Sequence, residues 1–143
     1  MSKKLIVLGN ASLANYPQGG GHWSVWLQYL LGLKKLGHNV FLLELMKSSG
    51  NKKKDDELIN LFFSRLKEHG LEGKGILLLF EKDIETQDLN QATPYGKKIG
   101  EVKEIIEGAD ILWNFCASIR RPLLEMFKHR VLIDLDPGLL TRI

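Results

Sequence analysis

Five short apolar runs punctuate the chain: Leu5–Leu8, Val40–Glu44, Ile76–Phe80, Ile111–Phe115 and Val131–Leu135. Each is nearly continuous rather than alternating, which is what a strand covered on both faces requires. Between them the hydrophobic period becomes helical. The spacing predicts a first helix over 22–36 that is apolar around most of its circumference, with Ser24, Gln28 and Lys35 as its polar stripe. Such a helix is largely buried, and Gly37 stands where a left-handed cap belongs. A second, amphipathic helix over 55–69 carries Asp55, Asp56 and Glu57 at its positive end, Lys67 and His69 at its negative end and Gly70 as its stop. A third, over 97–107, sets Ile99, Val102, Ile105 and Ile106 on one face. A fourth is expected to start near Arg121-Pro122, since proline suits a first helical turn. The polar, aperiodic stretch 82–95 reads as a long loop, a kind of segment often tied to function.

Strict alternation of these elements predicts one doubly wound α/β domain over 1–143. Its parallel, Rossmann-like sheet should have about five strands, in the order 3-2-1-4-5 that right-handed crossovers favour. No closing helix follows the fifth strand, where a doubly wound domain normally continues. The expectation is therefore the first half of something larger.

Composition refines this picture only slightly. Of 143 residues, 44% are apolar and 26% charged, ordinary for a globular domain. The net charge of +3 is too small to imply a nucleic-acid partner, which calls for a concentrated basic patch. The one tight lysine cluster, Lys52-Lys53-Lys54, reads as a solvated loop. Cys116 is the sole cysteine, so no internal disulfide forms, and it is expected to be a buried or semi-buried, inert thiol. The apolar run before Gly9 is too short for a signal core or a transmembrane segment, so a cytoplasmic location is expected.

The chemistry concentrates around Gly19-Gly20-Gly21-His22, between the first strand and the first helix. In this fold, ligands bind at the carboxyl ends of the strands. Gly19-x-Gly21-x-x-Ser24, with Glu44 as a ribose-binding acid, has the outline of a dinucleotide fingerprint. That fingerprint must follow its strand directly, and here about ten residues intervene. The long loop fits another use: glycines admit a ligand close to the backbone, and a helix start offers free N–H groups.

The stretch Lys4–Glu44, with strand, glycine loop, helix and the Gly37-His38-Asn39-Val40 lead-in to the second strand, resembles the amino-terminal domain of GT-B glycosyltransferases. The resemblance covers about forty residues; beyond them only the βα alternation is shared. Trp23-Ser24-Val25-Trp26 departs from the family's usual small or proline-containing helix start. The resemblance implies that a hydroxyl-bearing acceptor binds this domain. The nucleotide-sugar donor would bind a second domain or partner subunit outside this sequence, with no cofactor held by this chain. In the inverting members a histidine at the helix start, sixteen residues before the Gly-His histidine, deprotonates the acceptor. His22 and His38 have that spacing. A later aspartate orients the base, a role that falls to Asp136, with Asp134 behind it.

Three roles stay open to His22: base, ligand contact, or helix cap. An imidazole with a pKa near ~6.5 can act as a neutral base. Gly19, Gly20 and Gly21, with Asn114 and Ser118 at the end of the fourth strand, are candidate acceptor contacts, although Asn114 and Ser118 equally suit a polar turn. Asp134 and Asp136 point to one strand face, but no further acid or histidine motif completes a metal site, so none is expected. Trp23, Trp26, Tyr29 and Trp113 read as core aromatics, with Trp23 also a candidate for sugar stacking. The alternative from another class is a non-catalytic nucleotide- or partner-binding Rossmann-like module. An NAD-dependent oxidoreductase ranks below both.

Overall fold

The computed structural model describes residues 2–15 and 21–134, with the backbone alone for residues 15, 21 and 22. Six strands form one mixed sheet: β1 (Leu5–Gly9), β2 (Asn39–Lys47), β3 (Gly75–Phe80), β4 (Ala92–Tyr95), β5 (Ile111–Phe115) and β6 (Arg130–Ile133). Three α-helices accompany them among the described residues: α1 (Gly21–Lys35), α2 (Lys52–Glu68) and α3 (Ile99–Gly108). The strand order is β4-β3-β2-β1-β5-β6. All neighbours are parallel except β3 and β4.

The fold is thus α/β and Rossmann-like in general kind, but the sheet differs from the expected five strands in order 3-2-1-4-5. The sixth strand comes from the stretch expected to be a loop. Ala92-Thr93-Pro94-Tyr95 lies antiparallel along β3, from Leu77↔Tyr95 to Phe80↔Ala92. Pro94 suits a strand at the sheet edge, where one side needs no donors. The fourth helix is a second correction: Leu123–Met126 is a single 3-10 turn, and its apolar side chains Leu123 and Phe127 pack into the core from a short loop.

Both sheet faces are covered, which explains the continuous apolar strands. Ile6, Leu8, Val40, Leu42, Leu77 and Leu79 face α1 and α2. Val7, Leu43, Leu45, Ile76 and Leu78 face α3 and the turn after β5. On the first face α1 locks onto β5 through aromatic rings, with Trp26 edge-on to Phe115 at 4.1 Å between centroids and Tyr29 at 5.6 Å from Phe115. The other side of α1 is more open than its composition predicts, exposing Val25 and Leu31.

Local chemistry sets the element ends. Helix α1 stops in a Schellman cap: Gly37, at φ 93°, donates to the Lys34 carbonyl and His38 to that of Leu33. His38 Nδ1 then accepts from the Lys4 N–H at 3.1 Å, so the Gly-His pair joins the end of α1 to the start of β1. Asn51 caps α2 by accepting from the Lys54 N–H. Gly96 reverses the chain after β4 at φ 89°, and a Cβ there would lie 2.5 Å from the Gly75 carbonyl oxygen. Gly96→Ala is therefore expected to lower the unfolding free energy by roughly 1–3 kcal/mol in urea denaturation. Unchanged stability would show that the β4 turn is not held this tightly.

Candidate functional site

The carboxyl edge of the sheet is assembled from the ends of β1, β2 and β5. Three polar side chains tie these ends together. Asn10, just after β1, accepts through Oδ1 from the Leu45 N–H at 3.0 Å and the Ser12 N–H at 3.2 Å. This couples the β1 exit to β2. Asn114, on β5, donates to the Ile119 carbonyl at 3.1 Å and accepts from the Ile119 N–H at 2.8 Å. Ser118 Oγ accepts from the Asn10 N–H at 2.9 Å and lies 2.6 Å from the Phe115 carbonyl, to which it donates. Asn114 and Ser118 thus stand at the edge expected of them, with their polar atoms engaged by the chain itself. They shape a turn in which Cys116 and Ala117 both have φ near +55°. That turn leaves Cys116 exposed, correcting the expectation of a buried or semi-buried thiol.

Gln87 belongs to the same network and carried no motif in the sequence. Fully buried, its amide nitrogen donates to the carbonyls of Ile84 and Ser118, both at 2.9 Å, and its oxygen accepts from the Arg120 N–H at 2.6 Å. It fastens the loop before β4 to the turn after β5.

The largest difference from expectation is Glu44. A strand ending there would present an acid to a ligand. Instead β2 continues to Lys47, and Glu44 sits mid-strand with no exposed surface. It points to the α1/α2 face, where residues 11–15 fold over it. Oε2 accepts from the Ala14 N–H at 2.7 Å, while Oε1 is buried without a hydrogen-bond partner. Burial pushes its pKa up to about 8, against the opposing pull of the Ala14, Ala11, Ser12 and Leu13 N–H groups. The N–H groups that a dinucleotide fold would turn toward pyrophosphate are here turned toward the protein's own acid. Nor does Glu44 reach solvent to meet a ribose.

Trp23 is buried as well. It packs on Phe62 at 5.9 Å with the Arg65 guanidinium 5.4 Å from its ring centroid, so it offers no open ring to a sugar. Gly21 and His22 form the first two residues of α1, at the carboxyl edge by the path of the chain from β1. Gly19, Gly20 and Asp136 lie outside the described residues. No group of metal-ligating side chains occurs among the described residues, and no described helix is long and apolar enough to cross a membrane. No family model matches the chain, and no curated protein or solved structure shows significant similarity to it.

Two measurements check this geometry. An unfolded glutamate titrates near 4.5 and folded Glu44 near 8, so the native state holds the proton more tightly. Stability is then highest below the lower value and declines as pH rises toward the upper one, by up to roughly 1.4 kcal/mol per pH unit. Glu44→Gln is expected to flatten this slope in denaturation curves across that window. An unaltered slope would mean that another group sets it. Asn114→Ala removes both partners of Ile119 and is expected to destabilise the fold by about 1–3 kcal/mol. Chemical denaturation reads that difference directly.

Proposed function

We propose that this chain is the acceptor-side domain of a GT-B-type glycosyltransferase that moves a sugar from a nucleotide-sugar to a hydroxyl. The observation that carries this reading is the position of His22, second residue of the helix that follows β1, in a mostly parallel sheet whose β2 is introduced by Gly37-His38-Asn39-Val40. In the proposed mechanism the His22 imidazole takes the proton of the acceptor hydroxyl as its oxygen bonds to the sugar's anomeric carbon, while the bond from that carbon to the donor phosphate breaks and the nucleotide leaves with its electron pair. The Asp136 carboxylate holds the ring and balances the imidazolium that results. The Gly19-Gly20-Gly21 backbone lets the acceptor approach, and Asn114 and Ser118 contribute by shaping the neighbouring wall. Donor binding belongs to a second domain or a partner subunit.

The second reading, a non-catalytic binding module, draws support from the carboxyl-edge side chains Asn10, Gln87, Asn114 and Ser118, whose hydrogen bonds run within the chain. Kinetics separates the two. With the gene's full-length product and a panel of nucleotide-sugars and hydroxyl acceptors, release of nucleotide should be acceptor-dependent. His22→Ala should reduce turnover by roughly 10²–10⁴ without changing the thermal midpoint. Turnover that survives the substitution sinks the base assignment. Saturable NAD(H) binding followed by tryptophan fluorescence would transfer the domain to the oxidoreductases.

A further inference from the structure

The edge opposite the candidate site collects positive charge that the linear sequence scatters. At the amino ends of the strands, Lys3 and Lys4 precede β1 and Lys74 precedes β3. Lys34 and Lys35 end α1, and Lys97 and Lys98 precede α3. The turn at Gly96, against the Gly75 carbonyl, returns the chain to this edge and brings the last pair there. The Lys74 ammonium, bonded to Asn39 Oδ1 at 2.7 Å, has a lowered pKa, first from partial burial and then from the charges of Lys34, Lys97 and Lys3. Four separate segments therefore share one positive field.

Exposed carboxylates share this edge, with Glu68 and Glu72 around the α2–β3 turn and Glu107 and Asp110 around the α3–β5 turn, but the seven lysines outnumber them. None of the three ion pairs among the described residues includes any of these lysines. Glu72 pairs with Lys67, Glu101 turns back to the Lys98 N–H and Asp110 accepts from the Leu5 N–H at the β5 end of the edge.

Two large aliphatic side chains project from the same edge, each directly after a lysine pair. Leu36 follows Lys34-Lys35 and is 60% exposed; Ile99 follows Lys97-Lys98 and is 39% exposed. Exposed aliphatic residues set among lysines are the chemistry of a surface that meets both headgroup charge and acyl chain. Single-stranded nucleic acid would call for aromatic stacking platforms instead, and the large hydrophobic side chains exposed among the described residues are all aliphatic.

We infer that the amino edge of the sheet, through Lys3, Lys4, Lys34, Lys35, Lys97 and Lys98 with Leu36 and Ile99, docks the protein reversibly on an anionic lipid bilayer. The contact is peripheral: the lysines neutralise headgroups, and the two side chains enter the interface. It is independent of the chemistry proposed for the opposite edge, which this orientation leaves facing the aqueous phase.

Vesicle co-sedimentation of the full chain tests this, comparing phosphatidylserine–phosphatidylcholine vesicles with pure phosphatidylcholine. Binding should require phosphatidylserine and fall with added salt. Lys35→Gln with Lys98→Gln should weaken it by about fivefold per lysine, and Leu36→Ser should weaken it further. All three positions are solvent-exposed, so thermal midpoints should hold. Lys52→Gln with Lys53→Gln, at the start of α2 on the opposite edge, should leave binding unchanged. Absence of phosphatidylserine-dependent binding overturns the inference. So does an equal loss in the α2 pair, or binding of DNA or inorganic phosphate by a chain that ignores vesicles.

Discussion

The arrangement of the carboxyl edge depends on one buried acid. Glu44 stands in the middle of β2, where an apolar strand would ordinarily carry a leucine or valine. An unpartnered carboxylate in that position would be prohibitive, and the chain resolves the conflict in two ways. Burial keeps the group protonated near neutral pH, and the stretch 11–14 supplies backbone donors. In return Glu44 dictates the path of the loop leaving β1, since those donors must lie over β2. The first part of the loop, residues 11–14, is thereby drawn across the α1/α2 face.

Most of the architecture was legible from the order of apolar runs. Two-sided burial produces continuous apolar strands, and the five parallel strands fall where those runs lie. The helix stops were legible because Gly37 and Gly70 are needed for a left-handed turn. The sixth strand was not, because Ala92-Thr93-Pro94-Tyr95 has neither apolar continuity nor alternation; its pairing is set by β3 and the turn at Gly96. The missing fourth helix has a related cause, since Leu123 and Phe127 bury themselves from one tight turn and leave nothing for a longer helix to cover.

The candidate site was less legible than the fold. His22 is marked by its place in the chain, whereas the roles of Asn114, Ser118 and Gln87 follow from partners between three and 108 residues away. Glu44 did leave a trace, as the single acid inside the run Val40–Met46. Reading it as the end of a strand placed it at the surface, when a charge within such a run more often signals a buried tie. Around the β1–β5 junction these ties form a floor of internally satisfied amides.

The antiparallel strand gives the sheet an asymmetry of a different sort. On the β4 side, Pro94 interrupts the row of backbone donors and the strand is only four residues long, so that flank is poorly suited to accept another strand. On the other flank, β6 runs Arg130-Val131-Leu132-Ile133 with Val131 and Leu132 exposed and no proline. Among the described residues no strand pairs with the outer side of β6, and that flank lacks the proline that blocks β4. The two flanks therefore differ in their backbone chemistry: one breaks its row of donors, the other keeps it.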